Sequence, residues 1–168
     1  MLSKKIQDAL NKQIGSEAYA SHYYLAMASW CDTKGLRGSA RFMYQHAEDE
    51  RIHMMKLFRY ITDTGGHAIV QAMKQPPSQY ESIKNVFELT LDNERQVTKS
   101  INDLVSLCLE EKDYSTFNFL QWYVAEQHEE EHQFQYLLDR ISIAGLEGRG
   151  LFHLDKEIES LAGEMKAK

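Results

Sequence analysis

Apolar residues recur along this chain at spacings of three and four, the period of a helix with one buried face. Four long stretches carry it. In the first, about 4–32, the inward positions read Ile6, Leu10, Gln13/Ile14, Glu17, Ala20/Ser21, Tyr24, Met27/Ala28 and Cys31, and Ser3 is placed to cap the start. In the second, about 39–64, they read Phe42, His46, Asp49/Glu50, His53, Leu57 and Tyr60/Ile61, and Gly65-Gly66 ends it. The third, about 80–110, carries Phe87, Thr90/Leu91, Glu94, Val97/Thr98, Ile101, Leu104/Val105 and Cys108, and Ser78-Gln79-Tyr80-Glu81 reads as a capping box that opens it. The fourth, about 115–144, carries Leu120, Tyr123, Gln127, Glu130, Phe134, Leu137 and Ile141 behind a capping Asp113. Gly145, Gly148 and Gly150 then break the chain, and a short fifth helix is expected from about 155 to 166, with Leu154, Ile158 and Leu161 on one face.

The connections fix the order of these helices. Only a tight turn separates the third from the fourth, so those two are antiparallel neighbours. The segment 65–79 has no periodicity and contains Pro76-Pro77. Its ~15 residues, extended at about 3.3 Å each, reach roughly 50 Å. The second helix, at about 1.5 Å per residue, is roughly 40 Å long. The segment can therefore cross the full length of a bundle. The expectation is an all-α single domain over 1–168: an up-down-down-up four-helix bundle with a long crossover and a short C-terminal helix.

Each of the four stripes is interrupted by one glutamate near its middle: Glu17, Glu50, Glu94 and Glu130. Helices of equal length bring their midpoints to one level, so the four carboxylates should meet inside the core. Glu50 and His53 lie three residues apart on one helix face and can hold one cation from one side. The other Glu-x-x-His, Glu129 and His132, falls about 100° off its stripe. The inward pair there is Gln127 and Glu130. A buried ion costs several kcal/mol even after relaxation, and like charges nearby add to that. Protonation relieves the cost, and so do cations. Two divalent ions balance four carboxylates, with His53 and Gln127 ligating as neutral groups. Oxygen-rich ligation with one imidazole suits Fe(II), Mn or Zn, and paired metals bound by carboxylates are a known feature of helix bundles. The second metal would be held mainly by oxygen and should leave more readily than the first.

Composition narrows the function classes. With 2 prolines and 9 glycines in 168 residues, a helical protein is favoured. A net charge of −6 argues against nucleic-acid binding and suits the handling of cations. Cys31 and Cys108 are too few and too far apart for a disulfide framework, and both fall on apolar stripes, as buried thiols in a reducing compartment would. No apolar run is long enough to span a membrane, and the N-terminus enters amphipathic helix without a signal-peptide block. A cytoplasmic location is expected.

Several residues near the cluster admit two readings. Tyr24 is either a core tyrosine whose hydroxyl finds a buried carboxylate or a redox residue beside the metals. His46 reads as a core histidine and Trp122 as packing. Asp49, Glu126 and Glu129 are either a solvated acidic face or a further metal site. Two other functions compete: a di-iron oxygenase or peroxidase acting on an organic substrate or peroxide, and a structural bundle whose carboxylates are protonated and metal-free.

The runs Thr116-Phe117-Asn118-Phe119-Leu120-Gln121-Trp122-Tyr123-Val124-Ala125-Glu126-Gln127-His128-Glu129-Glu130-Glu131 and His46-Ala47-Glu48-Asp49-Glu50 are more specific than any spacing. On them the chain resembles the non-haem bacterial ferritins, over essentially its whole length. The resemblance implies a ferritin-like fold and a ferroxidase, oxidising Fe(II) with O2 or H2O2. Glu17, Glu50 and His53 would hold the first iron. Glu50, Glu94 and Glu130 would hold the second, with Gln127 nearby and Tyr24 alongside. A third iron site would map onto Asp49, Glu126, Glu129 and Glu130, and Asp49 stands where the family usually has Glu. The resemblance also implies a hollow homo-oligomer of 24 subunits storing ferric mineral. Relatives that bind haem carry Met after the second-helix Glu, where this chain has Arg51, so no haem is expected. The rubrerythrins add a Cys-rich iron module, which this chain lacks. The DNA-protecting mini-ferritins build their site between subunits and lack the fifth helix.

Overall fold

The computed structural model describes residues 2–165. Five helices account for most of them: α1 Lys4–Thr33, α2 Arg37–Asp63, α3 Ile83–Glu110, α4 Tyr114–Ala144 and α5 Gly148–Met165. Ser3 caps α1, its Oγ accepting from the Ile6 amide at 3.3 Å, and Asp113 caps α4 by accepting from the Thr116 amide at 3.0 Å.

Three helix starts differ from the sequence expectation. The cap of α3 is Ser82, accepting from the Asn85 amide at 3.1 Å, and not Ser78. Tyr80 is the reason. Its ring is buried in the core and its hydroxyl donates to the Pro77 carbonyl at 2.9 Å, so residues 78–81 stay outside the helix as the anchored end of the crossover. α2 starts slightly early, at Arg37, because Asp155 of α5 supplies its cap. α5 starts at Gly148 rather than near 155. Of the three glycines expected to break the chain, Gly145 ends α4 with φ 77°, whereas Gly150 lies within α5. A Cβ at Gly150 would lie 2.0 Å from the Ala144 carbonyl oxygen, so glycine there permits close approach to the end of α4. The expected end of the fifth helix, Lys166, lies outside the described residues.

The core consists of two apolar clusters, and their membership gives the directions of the helices. One joins Ile6, Leu10 and Ile14 from the start of α1 to Leu57 and Ile61 from the end of α2. It also takes in Ile101, Leu104 and Cys108 from the end of α3 and Leu120 and Tyr123 from the start of α4. The other joins the opposite ends, including Met27, Phe42, Phe87 and Phe134, and adds Leu154 and Ile158 of α5. Only an up-down-down-up arrangement produces this pairing. α5 packs against α2 and α4 at that second end. Between the clusters, the middle of the bundle is polar. Cys31 and Cys108 are free and buried, as expected.

The crossover is tied to α1 at its beginning. The His67 amide donates to Gln7 Oε1 at 2.9 Å, Asn11 Nδ2 donates to the His67 carbonyl at 3.0 Å, and the Ile69 amide donates to Asn11 Oδ1 at 2.7 Å. Among the described residues, no helix is long and apolar enough to cross a membrane.

Candidate dinuclear metal centre

The polar layer holds Glu17, Glu50, His53, Glu94, Gln127 and Glu130, none more than 5% exposed. Each sits near the middle of its helix, where the stripe phase turns it inward. Two groups of possible metal-ligand atoms lie within 4.8 Å of one another. One is Glu17, Glu50 and His53, and the other is Glu50, Glu94 and Glu130. Glu50 belongs to both, so its carboxylate is placed to serve two ions at once.

Hydrogen bonding divides the four glutamates. Glu94 is tied on both oxygens: Oε1 accepts from the Tyr24 hydroxyl, and Oε2 accepts from Gln127 Nε2 at 3.0 Å. Glu17 is tied on Oε1 alone, by Gln13 Nε2 at 2.8 Å. Glu17 Oε2, both oxygens of Glu50, Glu130 Oε2 and His53 Nδ1 are buried without a hydrogen-bond partner. His53 Nδ1 faces Glu50 Oε2 at 3.4 Å. Unpartnered buried oxygens are costly, and these belong to the residues of the two groups. The donor set fits two divalent cations.

The electrostatics point the same way. Burial raises the Glu50 carboxyl well above the ordinary carboxylate range, and Glu130, Glu94 and Glu17 raise it further. Burial also raises Glu130, with Glu94 the next cause. Glu94 is pushed up to about 7 by burial, against the lowering effect of the Tyr24 and Gln127 hydrogen bonds. Without cations the cluster retains protons.

The flanking residues separate by position. Tyr24 is buried, donates to Glu94 and accepts from Asn93 Nδ2 at 2.9 Å, so its hydroxyl is part of the site's hydrogen-bond network. His46 is wedged between Phe42 and Phe134, ring centroids 4.5 and 4.8 Å away, and burial lowers it to about 3, so it is neutral. Trp122 packs, as its phase implies, but against a site residue: its ring stands edge-on to His53 at 5.2 Å, with Lys56 Nζ 3.7 Å from its centroid. Glu126 is half-buried and forms a third close group with His53 and Glu130. Asp49 accepts from Gln45 Nε2 at 2.9 Å and is raised by burial. Among the described residues, Asp49 and Glu129 join no group this tight. Glu129 and His132 are exposed, as their phase predicts.

Residues 7–144 match the family model for the ferritin-like domain. The chain belongs to the ferritin family. A probable bacterial non-heme ferritin-like protein of Haemophilus influenzae is 47% identical over 162 residues, covering 96% of this chain and 98% of that relative. A bacterial non-heme ferritin of Campylobacter jejuni is also 47% identical, covering 96% and 97%. An open-pore ferritin from the archaeon Archaeoglobus fulgidus superposes with a TM-score of 0.93 at 40% identity, over 95% of this chain and 98% of that one. Iron storage is the general role that this membership supports.

Three contributors to this ferritin's polar layer carry no role in the sequence reading. Gln13 touches Glu17, Asn93 touches Tyr24, and the Tyr123 hydroxyl donates to the His53 carbonyl at 2.7 Å. Gln13 had a visible signal: it is polar on an apolar stripe, one turn before Glu17. Asn93 adjoins Glu94 in sequence without any mark of its own.

Proposed function

We propose that this ferritin oxidises Fe(II) with O2 at a site inside each subunit and stores the ferric product within a hollow shell of many copies. One observation carries the reading: two buried ligand groups share Glu50, and four of the oxygens around them lack a hydrogen-bond partner. Fe(II) is the substrate. One ion is taken by Glu17, Glu50 and His53. The other is taken by Glu50, Glu94 and Glu130, with Gln127 and Tyr24 orienting Glu94.

The protein's own contribution is charge and placement. Two Fe(II) bring four positive charges to four carboxyl groups. As they enter, the protons held on Glu50, Glu94 and Glu130 leave. Glu50, tied to no donor, is free to swing into a bridging position and fix the spacing of the two ions. O2 accepts the electrons that the two ions give up. Glu130 belongs both to the second ion's group and to the group that includes the half-buried Glu126, so the ferric product's way out runs past Glu126 toward the acidic side chains of Asp49 and Glu129.

The shell is supported by the ferritin neighbours and by large apolar side chains left outside the subunit core. Val70 is 83% exposed, Ile143 76%, Tyr114 66% and Phe152 62%.

The test is anaerobic Fe(II) titration of the metal-free protein, then O2, with particle size measured in solution. Two tight Fe(II) per chain, turnover far beyond two per chain and a large homo-oligomer are expected. Uptake below two per chain, or a monomer, overturns the reading. Oxidation that stops at two per chain would favour an oxygenase instead.

A further inference from the structure

Gln13 is a fully buried amide engaged at both ends. Its Nε2 donates to Glu17 Oε1 at 2.8 Å, and its Oε1 accepts from the Ser100 hydroxyl of α3. Ser100 lies half-buried at the edge of a cleft of about 730 Å3 between α1, α3 and the crossover. A hydrogen-bonded chain of two side chains thus runs from that cleft to one ligand group.

A carboxylate on a glutamate turns readily, because its terminal torsion is broad and two-fold. It can meet a metal with one oxygen or with both. A donor fixed on one oxygen sets the plane and leaves the other for the metal. The four glutamates differ in this respect. Glu50, shared by both groups, has neither oxygen tied, whereas Glu94 has both tied. Glu17 has one oxygen tied, and its Oε2 is buried and unpartnered.

We infer that Gln13 is the positioning residue that holds Glu17 as a one-oxygen ligand of the first metal, and that Ser100 braces the Gln13 amide from α3. A flipped amide would set its oxygen against an oxygen of the Glu17 carboxylate, which only accepts, so Glu17 selects the amide's orientation. The Ser100 hydroxyl then donates to the amide oxygen on the far side and holds the side chain in place. Residues that orient a metal ligand in this way typically change affinity by about 10–100-fold when removed. The inference rests on the assignment of Glu17, Glu50 and His53 to the first metal.

The experiment uses Co(II) as the probe on the metal-free full-length protein, with calorimetry for affinity and visible absorption for coordination. The Glu17→Ala protein identifies which signal belongs to the first site. Gln13→Met keeps the volume and removes the donor. It is expected to weaken the first site by about 10–100-fold and shift its absorption bands, while the second site changes less than about threefold. Ser100→Ala should weaken the same site by a smaller factor. Because both act through one chain of contacts, the double variant should be no weaker than Gln13→Met alone. Three results overturn the inference: unchanged affinity and spectrum in Gln13→Met, equal weakening of both sites, or additive effects of the two substitutions. If Gln13→Met does not fold, Ser100→Ala decides, and an unchanged first site there is equally fatal. Wild-type uptake below two Co(II) per chain would instead remove the site assignment beneath it.

Discussion

At Glu50, burial and three neighbouring carboxyl groups act in one direction, toward the protonated form. Glu94, at about 7, and Glu130 share that direction. A carboxyl raised in the folded state binds its proton more tightly there than in the unfolded chain. Its stabilising contribution is complete below the unfolded value, about 4.3 for glutamate in peptides, and is lost as pH rises through the folded value. For Glu94 that window runs from the ordinary value to about 7, and Glu50 and Glu130 act in the same direction. The metal-free protein should therefore lose on the order of a few kcal/mol between pH 5 and pH 8. Zn(II), which has no redox chemistry, should abolish the loss, and melting curves at several pH values with and without it would check both statements. Glu50→Gln removes the worst-placed charge. Its metal-free form should melt a few °C higher at pH 8, while stopped-flow Fe(II) oxidation falls by more than about 100-fold, beyond what outer residues cost. A slower melt gain or an unchanged rate would refute it. The six polar-layer residues were legible because a 3.6-residue period reports which side chains turn inward. The Gln13–Glu17 bond was not, because the partner that engages the other end of the Gln13 amide, Ser100, comes from another helix. Nor was the Trp122–His53 contact, since a large ring reaches past the phase of its own backbone.

Among the elements, α2 and α5 are joined through one side chain that caps α2. The Asp155 carboxylate accepts from the Gly38 amide at 2.9 Å, the Ser39 amide at 2.8 Å and the Ser39 hydroxyl at 2.7 Å. It thereby caps α2 from a different helix, where α2 has no side-chain cap of its own. Gly38 makes the approach possible, since a Cβ there would lie 1.9 Å from the Asp155 carbonyl oxygen. Asp155→Ala should cost about 1–2 kcal/mol, the usual value of a lost cap. Hydrogen exchange should rise at the Gly38 and Ser39 amides and along α5, with the α3–α4 turn unaffected; uniform exchange would count against the cap. The helices, their order and the crossover were readable because apolar period and loop length constrain them strongly. The early start of α5 was not. Glycine normally ends helices, and only the nearness of Ala144 to Gly150 reveals that this one serves close packing.

For the whole molecule, several large apolar side chains lie outside the core. Phe152 stands exposed on α5, and Ile143 stands at the end of α4. On the reading that these residues pack between subunits, Phe152→Asp should shift the sedimentation profile toward small species while far-ultraviolet circular dichroism stays unchanged. An intact large particle would show that this end of the subunit is free. None of this was readable from periodicity, which reports only what faces a chain's own interior; the resemblance alone suggested a shell. The crossover has one more consequence. It divides the polar layer as it divides the chain: Glu17, Glu50 and His53 precede it, and Glu94, Gln127 and Glu130 follow it. A protease cutting among its exposed residues 70–75 would therefore leave a first fragment holding one whole group and a second fragment without Glu50, the carboxylate that completes the other. A lone N-terminal hairpin could still gather one cation, whereas the C-terminal fragment would wait on its missing half.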